Sequence, residues 1–160
     1  MPDAPSPTAD DVAVGDALTP VVVGPLTSVH LMRWSAAIEN WHRIHYDERF
    51  AVDHDGLPGL LVNGSWKQHL LVRLVKDWLG PQGWLAAIDF QYRRMDVAGD
   101  TLTAWGEVTG VDLRDELGVV ACSIGIRNAQ GEDSTVGTAR GVLPRRGGAP
   151  VPYPFPGLDP

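Results

Sequence analysis

Apolar positions recur with two different periods along the chain, and the change from one to the other divides it. From Gly64 onward, Trp66, Leu70, Leu71, Leu74, Val75, Trp78 and Leu79 return at helical spacing. That stripe predicts one long amphipathic helix, stopped by Gly80-Pro81. After Gly83 the segments Trp84 to Met95, Thr101 to Val111, Val119 to Asn128 and Ser134 to Leu143 read as four consecutive strands. Turn residues separate them at 98–100, 114–118 and 128–131. Upstream of the long helix, Leu18 to Leu26 is valine-rich between prolines and predicts a short strand. Thr27 or Ser28 then caps a helix running to Ile38, with Leu31, Trp34, Ser35 and Ile38 on one face. From 39 to about 61 the polarity is mixed, so an extended loop is expected, with one helical turn near Asp47 to Ala51. A loop of that length in a compact domain is usually functional.

Strand, helix, long loop, long helix and an antiparallel meander make an α+β chain. The arrangement it predicts is a single hot-dog fold, a curved antiparallel sheet wrapped around one long central helix. Three regions follow: a flexible lead over 1–17, the folded domain over 18–143 and a Pro-rich tail over 144–160. The tail cannot enter a central strand because proline lacks the N–H donor. It is expected to be extended, either loose or lying on a neighbouring surface through Tyr153 and Phe155. One sheet around one helix leaves strand edges open, so a dimer is expected.

Composition narrows the partners. The 160 residues are 44% hydrophobic and 21% charged, with a net charge of −7, which speaks against a nucleic-acid binder. Cys122 is the only cysteine and sits in an apolar alternating run, so it reads as an inert buried thiol. No apolar stretch is long enough to span a membrane. The Pro- and Asp-rich residues 1–10 lack a signal-peptide pattern, so a cytoplasmic location is expected. On that reading the glycosylation-like triplet Asn63-Gly64-Ser65 is accidental.

The densest chemistry lies in the loop: His42, Arg43, His45, Tyr46 and Asp47, with Glu39 and Asn40 just before. A positioned histidine can take and return a proton near neutral pH. Such a cluster reads either as a site or as a polar network tying the loop down. His42 and His45 could ligate a metal with Asp47 or His54, but no companion cysteine or second ligand pair supports that, and no metal is expected.

The run Trp34 to Asp47, W-S-A-A-I-E-N-W-H-R-I-H-Y-D, resembles the signature of the MaoC-like hydratase/dehydratase family. The similarity is strongest to its type-2 3-hydroxyacyl-thioester dehydratases and mesaconyl-CoA hydratase relatives. The segment G-L-P-G-L-L-V-N-G at 56–64 and V-A-G-D-T-L at 97–102 resemble two further turns of that branch. The resemblance spans roughly 18–143 and implies reversible hydration of a 2-enoyl thioester, the reverse of 3-hydroxyacyl-thioester dehydration. It implies no cofactor beyond the coenzyme A or carrier phosphopantetheine that belongs to the substrate.

On that basis His45 takes the place of the family histidine as general acid/base, and Asn40 orients water. Asn40 stands where the R-specific hydratase branch carries aspartate, and asparagine cannot act as a base. The backbone N–H of Gly64 or Ser65, at the start of the long helix, is the expected oxyanion donor. Asn63 stands where the close branch usually has histidine. Arg43, His42, Asn63, Trp41 and Tyr46 are the candidate substrate-binding residues, with Arg43 alternatively a clamp to Asp47 or Glu48. Arg93 and Arg94 read as a solvated strand end or a phosphate contact, and Trp34 as a tunnel lining. Trp66 and Trp78 read as core or dimer contacts, and His54 and His69 as surface residues.

Two other functions compete. A non-catalytic acyl-thioester-binding subunit would pair with another hot-dog chain, as homodimer or heteromer partners do in such folds. A thioesterase would need a carboxylate on the central helix, and 66–75 holds none.

Overall fold

The structure is a computed structural model that describes residues 7–157. Five strands, β1 (Val21–Val23), β2 (Trp84–Tyr92), β3 (Leu102–Leu113), β4 (Leu117–Arg127) and β5 (Asp133–Pro144), form one antiparallel sheet. Its order is β1-β3-β4-β5-β2. Helices α1 (Ser28–Ala37) and α2 (Gly64–Leu79) precede β2. This is the hot-dog arrangement, with α2 as the central helix.

Helix α2 forms where its apolar stripe predicted it. Leu70, Leu71, Leu74, Val75 and Leu79 are buried, and they share one core with Leu102, Ala104 and Val108 of β3 and Val120, Cys122, Ile124 and Ile126 of β4. Asn63 caps the helix, with its Oδ1 accepting from Ser65 N–H at 2.9 Å. Gly80 ends it at φ 69°, a conformation glycine adopts without the Cβ clash other residues meet. Burial pushes the Cys122 thiol up to about 11, as suits an inert core residue.

Two expectations need correcting. The four strands are not one meander: β3, β4 and β5 are, but β2 pairs with β5 at the opposite side from β3. The link between β2 and β3, residues 93–101, is too long for a hairpin and is used elsewhere. Val62 N–H donates to Asp96 O at 2.8 Å and Ala98 N–H to Leu60 O at 2.9 Å, so this link pairs with the segment leading into α2.

The lead expected to be flexible through residue 17 is tied down over its described part, whereas residues 1–6 lie outside the described residues. Ala9, in a 3-10 turn, is buried against Gly118, where any Cβ would collide with it. Asp10 accepts from Arg145 Nε at 2.9 Å and Arg146 N–H at 2.7 Å, joining the lead to the start of the tail. Pro144 ends β5 opposite Leu117, and Tyr153 and Phe155 lie about the Trp84 ring at 6.0 and 6.1 Å.

The Arg145 side-chain bond, reinforced by Arg146 N–H, holds the Asp10 carboxyl down to about 2. Its folded value lies below its unfolded one. The stabilising effect of this clasp is therefore complete above the ordinary aspartate range and disappears as pH falls through about 2. Arg145→Ala is expected to move the Asp10 midpoint up toward the ordinary value. A carboxyl NMR titration reads this directly, and an unmoved midpoint would contradict the assignment.

Candidate active site

Three residues after α1, Asn40 Oδ1 accepts the His42 N–H at 3.1 Å and turns the chain into a 3-10 turn, Arg43–His45. The segment is then braced internally. Arg43 places its guanidinium on Asp47 Oδ2 at 2.7 Å and over the Phe50 ring at 4.2 Å. Asp47 Oδ1 also accepts Phe50 N–H at 3.1 Å, capping the helical residues that begin at Glu48 and continue as a π-helical turn, Phe50–His54. Arg43 first, then Phe50 N–H, holds the Asp47 carboxyl below its usual range. Tyr46 donates its phenol to Trp41 O at 2.8 Å. The helical turn expected near 47–51 is thus present, starting after Asp47 and running on to His54.

This bracing sorts the candidates. Arg43 clamps Asp47 through Nε and Nη2, and its remaining guanidinium donors stay open on an exposed side chain. Tyr46 is committed to the backbone of its own loop. Trp41 is 55% exposed. Trp34 stacks on Trp66 at 5.6 Å, donates its indole N–H to Ser65 Oγ at 2.9 Å, and with Trp66 lines an open pocket beside α1. Trp78 packs half-buried against the core. His42 is exposed, with its ring 6.2 Å from that of His45. His54 and His69 are exposed, as is Arg94, which faces Glu132 at 3.4 Å. Among the described residues no three His, Cys, Asp or Glu side chains gather as a metal set.

His45 differs from its neighbours. It is only 7% exposed, and its Nδ1 lies 2.8 Å from Leu61 O. A backbone carbonyl can only accept, so Nδ1 carries the hydrogen. In the neutral ring the lone pair is then on Nε2, the form needed in a general base. Leu61 N–H in turn donates to Ile44 O at 2.9 Å, so the histidine turn is stitched to the chain three residues before α2.

The start of α2 supplies the complementary polarity. Its first amide groups have no acceptor inside the helix, and the helix dipole favours negative charge there. Of the two donors expected, Ser65 is spent: its N–H and its Oγ, at 2.9 and 2.6 Å, both point to Asn63 Oδ1. Among the described residues no acceptor reaches Gly64 N–H. Gly64 N–H is therefore the open one of the two candidate donors, and Ser65 is part of the cap.

Asn63 is 4% exposed, a burial that does not suit a glycosylation acceptor. Its Nδ2 is buried without a partner among the described residues. Asn40 keeps one lone pair of Oδ1 and its NH2 after capping His42.

The sequence did not point to Lys67, Asp96 or Tyr92. Together with Leu61, Val62, Gly64, Arg94 and Met95 they line a pocket of about 210 Å³ beside the helix start. Lysine at 67 falls on the polar side of no obvious motif, and the one available signal was a lysine at a position helical periodicity leaves next to the core.

A profile of the hydroxyacyl-thioester dehydratase type 2 family matches residues 6–100. Over 78 residues the chain is 42% identical to mesaconyl-C(4)-CoA hydratase of Chloroflexus aurantiacus, covering 47% of this chain and 27% of that protein. The chain thus spans about a quarter of the length of that curated relative. Among solved structures it is similar to a chain of the ChsH1–ChsH2 complex from Mycobacterium tuberculosis. That match has 26% identity and a TM-score of 0.70 and covers 82% of this chain and 98% of the other. The MaoC-like dehydratase from Rhodospirillum rubrum superposes with a TM-score of 0.75 at 22% identity, over 88% and 99% of the two chains, and so shares the fold.

Proposed function

The chain belongs to the hydroxyacyl-thioester dehydratase type 2 family, and on that premise we propose that it reversibly hydrates a 2-enoyl thioester. The substrate carries its acyl group on coenzyme A or on a carrier phosphopantetheine. No other cofactor enters the reaction.

The observation that carries this reading is the bond from His45 Nδ1 to Leu61 O, which leaves Nε2 as the ring's acceptor three residues before the helix start that presents the Gly64 N–H. His45 Nε2 takes a proton from water as its oxygen bonds to C3. Electron density moves through the double bond to the thioester oxygen, where Gly64 N–H meets the developing negative charge. The imidazolium then returns its proton to C2, completing addition of one water. Dehydration runs the same steps backwards. Asn40 holds the water through the remaining capacity of its amide. Leu61 O keeps the ring in the required tautomer throughout. Cys122 is excluded as a nucleophile by burial and by its raised pKa.

A second reading has its own support. The similarity to a chain of a two-component complex fits a subunit that works with a different hot-dog partner. Strand β2 lies at the sheet edge, and exposed Trp84 and Tyr92 mark its two ends. Such edges are normally covered, by a second copy or by a relative. The thioesterase reading fares worse, because Asp77, the one carboxylate on α2, is exposed near its far end. No helix among the described residues is long and apolar enough to cross a membrane.

The purified chain is expected to hydrate crotonyl-CoA or a longer or branched enoyl-CoA, followed by loss of the enoyl absorbance, and to run as a homodimer in a solution mass measurement. An inactive chain that gains activity only with a second hot-dog protein would favour the subunit reading.

A further inference from the structure

Lys67 and Asp96 are 3% and 1% exposed, and their Nζ and Oδ2 lie 2.8 Å apart. A buried ion pair contributes little net stability, because desolvating both charges offsets their attraction. Here the balance is poorer still, since Asp96 Oδ1 is buried with no partner among the described residues. Stability alone therefore gives no reason for the pair.

Its position gives one. Lys67 lies in the first turn of α2, three residues after Gly64, and also donates to Arg94 O at 3.1 Å. The same ammonium sits 5.1 Å from the centre of the Tyr92 ring, and Tyr92 donates its phenol to Gly64 O at 2.6 Å. Asp96 O accepts Val62 N–H at 2.8 Å. Four hydrogen bonds thus join segment 92–96 to Val62, Gly64 and Lys67. The Gly64 N–H shares its peptide plane with Asn63 O, and the bonds at Val62 N–H and Gly64 O fix the chain on either side of that plane.

We propose that the buried Lys67–Asp96 pair, with Tyr92, positions the Gly64 N–H for the reaction. The inference rests on the oxyanion role given to Gly64 above. These are positioning residues: Lys67 and Asp96 act through the 92–96 segment and Tyr92 through the Gly64 carbonyl. Misplacing a reacting group by about 1 Å can lower a rate about 10²-fold, so loss of the pair is expected to reduce kcat with little effect on KM.

The test is the apolar replacement Lys67→Met with Asp96→Leu, which removes both charges together. It is expected to melt no lower than the wild-type chain, to lose roughly 10- to 100-fold in kcat for enoyl-CoA hydration with KM nearly unchanged, and to exchange its Val62 amide faster. A folded double variant with wild-type kcat overturns the proposal. Should that variant not fold, Tyr92→Phe decides, since Tyr92 is half-exposed and only the bond to Gly64 O is lost. A lower kcat at constant KM supports the proposal, and an unchanged one overturns it. If the wild-type chain hydrates no enoyl-CoA, the proposed reaction fails by itself. Val62 exchange and the Gly64 amide resonance then decide the positioning: both moving in the folded variant support it, and neither moving overturns it.

Discussion

Replacing His45 by asparagine is expected to lower kcat for enoyl-thioester hydration by about 10²- to 10⁴-fold, the usual contribution of a positioned general acid/base. Asparagine is the informative substitution because its NH2 can still donate to Leu61 O, the bond His45 Nδ1 makes at 2.8 Å. The base is lost and the local tie remains. Alanine would also remove the tie and leave a carbonyl unpaired beside a site that is only 7% exposed, which can destabilise by about 1–3 kcal/mol. A rate lost in His45→Ala alone could therefore reflect a displaced loop, whereas a rate lost in His45→Asn reflects the missing base. Steady-state kinetics and a thermal melt on both variants make the distinction. Wild-type kcat in His45→Asn would remove this histidine from the mechanism.

A second large effect is expected at Gly64, where a comparison isolates one hydrogen atom. Gly64 opens α2 after a cap residue with φ −63° and ψ 131°. Proline is well tolerated at the first helical position, and this extended backbone is the one a residue before proline prefers. Gly64→Pro therefore removes the N–H while keeping the helix start. Any Cβ there comes within 3.0 Å of the Tyr92 ring, a crowding that Gly64→Ala introduces equally. Tyr92 is half-exposed and can yield by the few tenths of an ångström required. Loss of one oxyanion donor typically costs about 10²- to 10³-fold in kcat, so Gly64→Pro should fall below Gly64→Ala by that factor. Equal rates in the two variants would mean that the amide does not meet the oxyanion.

These experiments separate the roles that the fold joins. His45 and Gly64 come from different elements, and the segment 60–63 connects them. Its carbonyl at Leu61 orients the imidazole, and its asparagine at 63 absorbs the Ser65 amide, leaving Gly64 as the open donor. The same segment pairs with 96–98. A change at Asp96 is therefore expected to reach the Gly64 amide through the backbone pairs of this segment.

Much of this was legible beforehand. The stripe from Trp66 to Leu79 with its glycine stop located α2, since helical periodicity and end signals are local properties of the chain. The alternating runs located β2 to β5 within a few residues. The H-R-I-H-Y-D segment marked the loop that carries His45. The pairing of β2 was not legible, because alternation says that a segment is a strand and not which neighbour it will find. The packing of Ala9 and Asp10 was missed because a Pro- and Asp-rich lead carries no periodic signal, and its partners Gly118 and Arg145 are more than a hundred residues away.

Read alone, the chain located the elements, the central helix and the candidate histidine, because each depends on residues within a few turns of one another. Only the tertiary structure decided which nitrogen of His45 holds its hydrogen, which of two adjacent amides stays open, and that Lys67 meets Asp96 across 29 residues. Each of those outcomes depends on a hydrogen-bond partner brought in from a distant part of the chain, and a donor's availability is known only once every acceptor around it has been placed.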